Sequence, residues 1–292
     1  MALNAILKGA VEKTAHAAHE GERIDMTVPI VMTAFGTSTR ARQTYKIIDE
    51  HIQSCFPDHP IHWAFTSRMV RDKIQQEQGK EFKHPHQVLN ELWEQGHEWA
   101  VVQSLHLVCG HEFDRLVEEA KTCRIRTSIG LPLLDAPEDY STVVRVLDGE
   151  LVHRDRDEAL ILVGHGTDHA IWSAYPCLES MARKHLGDRV FVGVVEGWPE
   201  AGDIVQAVDQ AGFKQARLVP FMLVAGIHFQ DDLAGEEGSW KELFREQGVE
   251  VSIEERSLGH MPGIIDLFGR HIRDGLAVIP DSERRRARKC PL

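Results

Sequence analysis

The stretch Leu160-Ile-Leu-Val-Gly-His-Gly-Thr167 decides the fold. Four apolar residues in a row predict a strand that is buried on both faces, as in parallel sheets. Gly-His-Gly follows at once, at the carboxyl end of the strand, where open α/β sheets bind their ligands. The glycines let the backbone turn sharply and leave the imidazole uncrowded. His165 is therefore the first candidate for a metal ligand or a base, and a turn histidine that caps the next helix is the structural alternative.

The rest of the chain alternates strands with helical segments. Helices are expected between the strands, for example over 68–78, 137–151 and 264–276. This alternation predicts an α/β protein with parallel sheets covered by helices on both faces. The strands are expected at Val28–Phe35, Ile61–Thr66, Trp99–Leu105, Ile125–Ile129, Leu160–Val163, Val190–Val195, Ala216–Val224 and Val249–Ile253.

The two halves of the chain align as an internal repeat. Phe35 lies opposite His165 and Thr66 opposite Glu196 at one offset, since 165 − 35 = 130 and 196 − 66 = 130. Glu112 lies opposite His228, 228 − 112 = 116 residues later. Three matched strand ends favour duplication over the chance likeness of βα units, so we expect two similar domains that enclose a cleft. The predicted boundaries are an N-terminal extension at 1–27, α/β domains at 28–152 and 153–278, and a basic tail at 279–292.

Composition excludes several classes of protein. The net charge is −12, which argues against general nucleic-acid binding. No apolar run approaches the ~20 residues of a membrane span, and the N-terminus lacks the core of a signal peptide. Five scattered cysteines without a CxxC pair indicate a reducing compartment. We therefore expect a cytoplasmic protein without membrane or nucleic-acid partners, and a homo-oligomer stays open.

Three strand ends of the second half carry His165, Glu196 and His228. Two imidazoles and a carboxylate suit a divalent first-row metal such as cobalt, nickel, iron or zinc, and three ligands leave coordination positions open. Singly, Glu196 could cap the next helix and His228 could be a packed histidine. Together at adjacent strand ends they predict a metal site. His106 and His111 lie at the corresponding edge of the first half and are secondary candidates.

Several motifs together resemble one family, the class II tetrapyrrole chelatases, and within it the sirohydrochlorin cobaltochelatases of anaerobic cobalamin synthesis. The resemblance spans about Pro29 to Gly275. The motifs that carry it are Thr33-Ala-Phe-Gly-Thr-Ser-Thr39, Gln103-Ser-Leu-His106, Val163-Gly-His-Gly-Thr167, Val195-Glu-Gly-Trp-Pro199 and Pro220-Phe-Met-Leu-Val-Ala-Gly-Ile-His-Phe-Gln-Asp-Asp232.

The resemblance implies insertion of Co(II) into sirohydrochlorin or a close relative, with the metal held by His165, His228 and Glu196. No organic cofactor is expected. His165 is predicted to be the base for a pyrrole N–H, and Glu196 to help relay protons. The substrate carries many carboxylates, so the cleft should be locally basic. We expect substrate contacts from Thr37, Ser38, Arg40, Arg68 and His106, although the charged ones could instead be solvated helix-face residues.

Three alternatives remain at this point. The first is an iron or nickel chelatase of a related tetrapyrrole, because ligand identity does not select the metal. The second is a metal or haem carrier without turnover. The third is a two-domain α/β protein that binds another organic ligand.

Overall fold

The computed structural model describes residues 27–37, 40–78, 82–151, 157–235 and 238–281, without the side chains of residues 40, 74–75, 77–78 and 227–230. The predicted N-terminal extension and basic tail fall almost wholly outside these residues, so they stay predictions. Within the described part, none of the helices combines the length and the apolar character needed to cross a membrane.

Within the described ranges, eight parallel strands form two four-stranded sheets. The first sheet has the order β2-β1-β3-β4 and the second the order β6-β5-β7-β8. The same order in both halves confirms the predicted α/β fold with two similar parallel sheets. The strands are β1 (Ile30–Ala34), β2 (Ile61–Phe65), β3 (Trp99–Ser104), β4 (Arg126–Gly130), β5 (Glu158–Gly166), β6 (Val190–Glu196), β7 (Gln215–Pro220) and β8 (Glu250–Ile253).

Helices return the chain from the carboxyl edge of each sheet to its opposite edge, as parallel pairing requires. Short 3₁₀ turns at Arg40–Arg42, Ala170–Ser173 and Leu258–His260 complete the loops. The helices are α1 (Gln43–Cys55), α2 (Arg68–Gln78), α3 (Pro85–Glu94), α4 (His111–Thr122), α5 (Pro137–Glu150), α6 (Ala174–Leu186), α7 (Ala201–Gln210), α8 (Ile227–Ala234), α9 (Trp240–Glu246) and α10 (Pro262–Val278).

Strand β7 is shorter than predicted, since it ends at Pro220 instead of Val224. The N–H of Phe221 still donates to the carbonyl of Val163 at 2.8 Å. The next two carbonyls, of Met222 and Leu223, accept hydrogen bonds from the backbone at 258 and 259, each at 2.9 Å. The apolar run therefore leaves the sheet and pairs with the 3₁₀ turn before α10.

One apolar core runs through both halves. Ile30 and Met32 of β1 share this cluster with Leu160 and Leu162 of β5 and with residues of α1, α5, α6 and α10. The alternate residues of the same strands face the other way, because successive side chains of a strand point to opposite faces. Two outer clusters lie there, under α3 and α4 in the first half and under α7 and α9 in the second.

The last helix of each half lies against the other half. Helix α10 packs on β3 and β4 of the first sheet and on α1 and α5, whereas α5 packs on α6. Gly275 allows this close approach, since a Cβ there would lie 3.1 Å from Cγ1 of Val101. The two halves are thus joined by a continuous core and by exchanged helices, namely α5 and α10, each of which packs on the other half. The predicted division at 152/153 stays a prediction.

Candidate active site

His165 and Glu196 lie side by side at the carboxyl ends of neighbouring strands. Strand β5 ends in His165-Gly166 and β6 ends in Glu196, and Gly166 pairs with Glu196 in the parallel register. Both side chains are exposed. Helix α7 begins at Ala201 with Glu200 as its N-cap residue, so Glu196 is not the helix cap that its position also allowed. An imidazole and a carboxylate therefore stand exposed at adjacent strand ends, with Nδ1 of His165 3.4 Å from the carbonyl oxygen of Gly166.

Each glycine beside His165 is required by a close approach. Gly166 has φ +93°, and a Cβ there would lie 1.7 Å from the carbonyl oxygen of Glu196. At Gly164 a Cβ would meet the ring of Tyr175 at 2.4 Å. The buried Tyr175 hydroxyl accepts a hydrogen bond from the Gly166 N–H at 3.1 Å, and burial raises the pKa of this phenol. The turn that presents His165 is thus fixed from both sides.

Two tryptophans stand beside this pair. Trp198, two residues after Glu196, and Trp172 meet edge to face with ring centroids 5.4 Å apart. They are 49% and 43% exposed, so each presents a large apolar face to solvent. With Thr167 they line an open cavity of about 240 Å³. Trp172 was not predicted because no local motif marks it, whereas Trp198 belongs to the quoted Glu-Gly-Trp-Pro motif.

His228 follows the third strand of this edge. It is the second residue of α8, after Gly226 at the N-cap, and the chain reaches it from the end of β7. Strand β7 pairs with β5 on the side opposite β6. The side chain of His228 lies outside the described part, so its place as the third ligand stays a prediction.

The predicted substrate contacts of the first half follow β1 and β2. Thr37 lies in the loop after β1, Ser38 falls outside the described residues, and Arg40 starts a 3₁₀ turn without a described side chain. Arg68 begins α2, is exposed, and its Nε lies 3.6 Å from Oδ2 of Asp72. It lines a wide surface cavity of about 600 Å³ together with Met69, Asp72, Lys73 and Gln76. Exposure keeps Arg68 accessible to an anionic ligand.

His106 is a buried imidazole just past the end of β3. Its Nδ1 lies 2.8 Å from Oγ of Ser104, and its Nε2 is buried without a hydrogen-bond partner among the described residues. Burial lowers the pKa of His106 to about 4, against the opposing charge of Glu112. His106 is therefore neutral near pH 7 and holds one unused ring nitrogen.

Two histidine–aspartate contacts connect the halves next to His165. Nε2 of His111 in α4 lies 3.1 Å from Oδ1 of Asp168, and Nε2 of His169 lies 3.4 Å from Oδ2 of Asp114. The two imidazoles meet edge to face with centroids 4.8 Å apart. His111 was a secondary candidate. The pairing itself gave no sequence signal because its members are more than 50 residues apart.

The sequence profile of one family, described as cobalt chelatase (CbiK), matches residues 29–277 of this chain. The chain belongs to the cobalt chelatase family. A curated relative, the sirohydrochlorin cobaltochelatase of Salmonella typhimurium, is 31% identical over 258 residues, 86% of this chain and 97% of the relative. The sirohydrochlorin cobaltochelatase CbiKC of Nitratidesulfovibrio vulgaris is 28% identical over 260 residues, 86% of this chain and 92% of that protein.

A solved structure shares the fold of this cobalt chelatase family member. It is the sirohydrochlorin chelatase SirB from Bacillus subtilis subspecies spizizenii in complex with cobalt, with a TM-score of 0.59 and 15% sequence identity. The match covers 89% of this chain and 99% of SirB. At this identity the likeness concerns the fold alone, namely the paired parallel sheets described above.

Proposed function

We propose that this family member inserts Co(II), as a substrate metal, into sirohydrochlorin. The proposal rests on one observation above all: an exposed imidazole and an exposed carboxylate, His165 and Glu196, end paired strands in a chain whose curated relatives are named sirohydrochlorin cobaltochelatases. The predicted Fe(II) and Ni(II) alternatives concern the same site, and a carrier without turnover is the rival from another class.

The incoming metal is held by His165, Glu196 and His228 in this proposal. Neutral imidazoles and a carboxylate suit divalent cobalt, and three protein ligands leave positions open for the pyrrole nitrogens. The rigid Gly-His-Gly turn supports this role, because a ligand fixed by Tyr175 and by the β6 backbone is already oriented before the metal arrives.

Proton removal falls to the same residues. Two pyrrole N–H protons must leave as the metal enters the macrocycle. As the metal passes to the macrocycle it releases the ring nitrogen of His165, and this nitrogen then accepts one proton as a base. Glu196, which is exposed, passes protons on toward solvent. Metal ligands must be deprotonated, so insertion should slow as the pH falls through the histidine range.

Trp172 and Trp198 supply an apolar wall for the flat macrocycle in this proposal, because aromatic faces exposed beside a polar site gain free energy when a planar ligand covers them. The carboxylates of the substrate reach Thr37, Ser38, Arg40 and Arg68 at the ends of β1 and β2. His106 remains a predicted substrate contact, and because its Nε2 is buried, this contact requires the covering residues to move when the substrate binds.

The test is an anaerobic absorbance assay of Co(II) insertion into sirohydrochlorin. His165→Ala should fall to the rate of spontaneous insertion, whereas the matched control His185→Ala, an exposed histidine of α6, should retain the wild-type rate. Equal rates for His165→Ala and the wild type would reject the role of His165. A wild type without insertion that purifies with bound haem would favour the carrier, and faster insertion of Fe(II) or Ni(II) would replace cobalt as the substrate metal.

A further inference from the structure

A second group of metal-ligand side chains lies in the first half of the chain, on the helices that cover the outer face of its sheet. His84 is the N-cap of α3, His86 is the second residue of that helix, and Glu119 projects from α4. Nδ1 of His86 lies 2.8 Å from Oε1 of Glu119 and 3.1 Å from Nδ1 of His84. Nδ1 of His84 also contacts Oε1 of Glu119. Three ligand atoms therefore converge on one point.

Hydrogen bonding alone does not satisfy this arrangement. A neutral imidazole carries one N–H, and a carboxylate oxygen only accepts. If both Nδ1 atoms donate to Glu119, their two protons are forced together across 3.1 Å. If only one donates, the other Nδ1 faces the carboxylate with its lone pair. A divalent cation satisfies all three at once, and ligand atoms held by one such ion at bonds of about 2.0–2.1 Å lie about 3 Å apart.

The local sequence holds the ligands in place before any metal binds. Pro85 lies between the two histidines and fixes the backbone at the first position of α3. The N–H of His84 donates to Oε1 of Gln87 at 2.8 Å, and the preceding Lys83 carbonyl accepts from Phe65 of β2 at 2.9 Å. Preorganised ligands lose little entropy on binding, which raises metal affinity.

We propose that His84, His86 and Glu119 form a second binding site for a divalent first-row transition metal, Co(II) or Zn(II) by its two imidazoles and one carboxylate. The side chains of His84 and Glu119 are 20% and 19% exposed and that of His86 is 50% exposed, so the remaining coordination positions open to solvent. The site is independent of the repeat, since the first-half counterparts of His165 and Glu196 are Phe35 and Thr66. It also goes beyond the proposed insertion reaction.

Equilibrium dialysis against Co(II) alone tests this site with the full-length protein. In a His165→Ala background, adding His86→Ala or Glu119→Gln should remove one bound Co(II) per chain, with an affinity loss of at least about 100-fold at the site. Adding His185→Ala instead should change nothing. Metal held elsewhere, for example near His51, Cys55 and Asp266, cancels in the comparison.

Equal Co(II) binding with and without His86→Ala, and with and without Glu119→Gln, would overturn the second site. His86 is half exposed, so its replacement should leave the fold intact, and Glu119→Gln keeps the side-chain shape. The single variant His86→Ala should still insert Co(II) at the wild-type rate when the metal is saturating. Failure of the insertion proposal would not alter the dialysis result, so the two proposals can fail separately.

Discussion

At the scale of single residues, Gly166 carries the sharpest constraint in the candidate site. It has φ +93°, and its missing Cβ leaves room for the carbonyl oxygen of Glu196, 1.7 Å from where that atom would stand. Gly166→Ala should cost about 1–2 kcal/mol for the left-handed backbone and about 1–3 kcal/mol more for the clash. Because the clash displaces the end of β6, Co(II) insertion should also collapse.

Gly187→Ala is the matched control for this change. Gly187 has nearly the same φ, +88°, but nothing lies within 4 Å of a Cβ there. Gly187→Ala should lower the free energy of unfolding only by the backbone contribution, without the clash, and should keep full insertion activity. Urea unfolding and the insertion assay together measure both effects, and equal losses in the two variants would contradict the close-approach argument.

The lowered pKa of His106 predicts how the stability of the protein changes in acid. Its folded pKa of about 4 lies below the ordinary value of 6.5, so the unfolded chain binds more protons between these two pH values. The free energy of unfolding should therefore fall as the pH drops from about 6.5 to about 4, and His106 should account for up to about 3 kcal/mol of this fall. Below about pH 4 His106 should add no further pH dependence. His106→Gln should flatten this part of the pH dependence.

Unfolding free energies at a series of pH values measure the slope. Buried His97, whose pKa is also lowered by burial, contributes equally to the wild type and to His106→Gln, so the difference isolates His106. An unchanged slope in His106→Gln would mean that this imidazole is solvated.

At the scale of elements, the sequence predicts most strands and helices because their ends carry local signals. Helix α2 begins and ends where its pattern predicts, and α5 begins at the predicted Pro137, whereas α10 begins at Pro262, two residues before its predicted start. The placement of His165 and Glu196 at paired strand ends also follows from the buried runs before them. The predicted end of β7 was wrong because its apolar run continues past Pro220. The residues after Pro220 leave the sheet and pair with the 3₁₀ turn before α10.

What the local pattern does not contain is the partner of each helix. The periodicity of α10 predicts a helix with a buried face, but its packing on β3 and β4 depends on contacts more than 130 residues away in the chain. The same limit hid the contacts of His111 with Asp168 and of Trp172 with Trp198. Each of these depends on how the two halves, or two loops, meet.

The exchanged helix α10 gives a prediction of its own at this scale. Gly275→Leu should destabilise the protein by about 1–3 kcal/mol, since the side chain would meet Val101 and Ser128 on the first sheet. Gly149→Leu, at an open position of α5, should instead gain up to about 1 kcal/mol from helix propensity. Urea midpoints measure both, and a neutral Gly275→Leu would show that α10 does not lie tightly on β3.

At the scale of the whole molecule, the two halves share a topology but not a site. The sheets repeat the same strand order. At an offset of 130 residues, His165 and Glu196 occupy the repeat positions that Phe35 and Thr66 occupy in the first half. Phe35 is 48% exposed at the end of β1, so the first half presents an apolar group where the second presents an imidazole. In the proposed reaction one half therefore holds the metal, and the other provides a wall for the substrate.

The continuous core predicts that the halves unfold together. Two domains with separate cores can unfold in separate steps, but here Met32 of β1 and Leu162 of β5 belong to one buried cluster and α5 and α10 are exchanged. The slowest amides of β1 and β5 should therefore exchange hydrogen with the same free energy. Met32→Ala should lower that free energy by about 2–5 kcal/mol in both strands, although it changes only one. A loss confined to β1 would show two independent units, and the shared core would then contribute little to holding the two halves in register around the substrate.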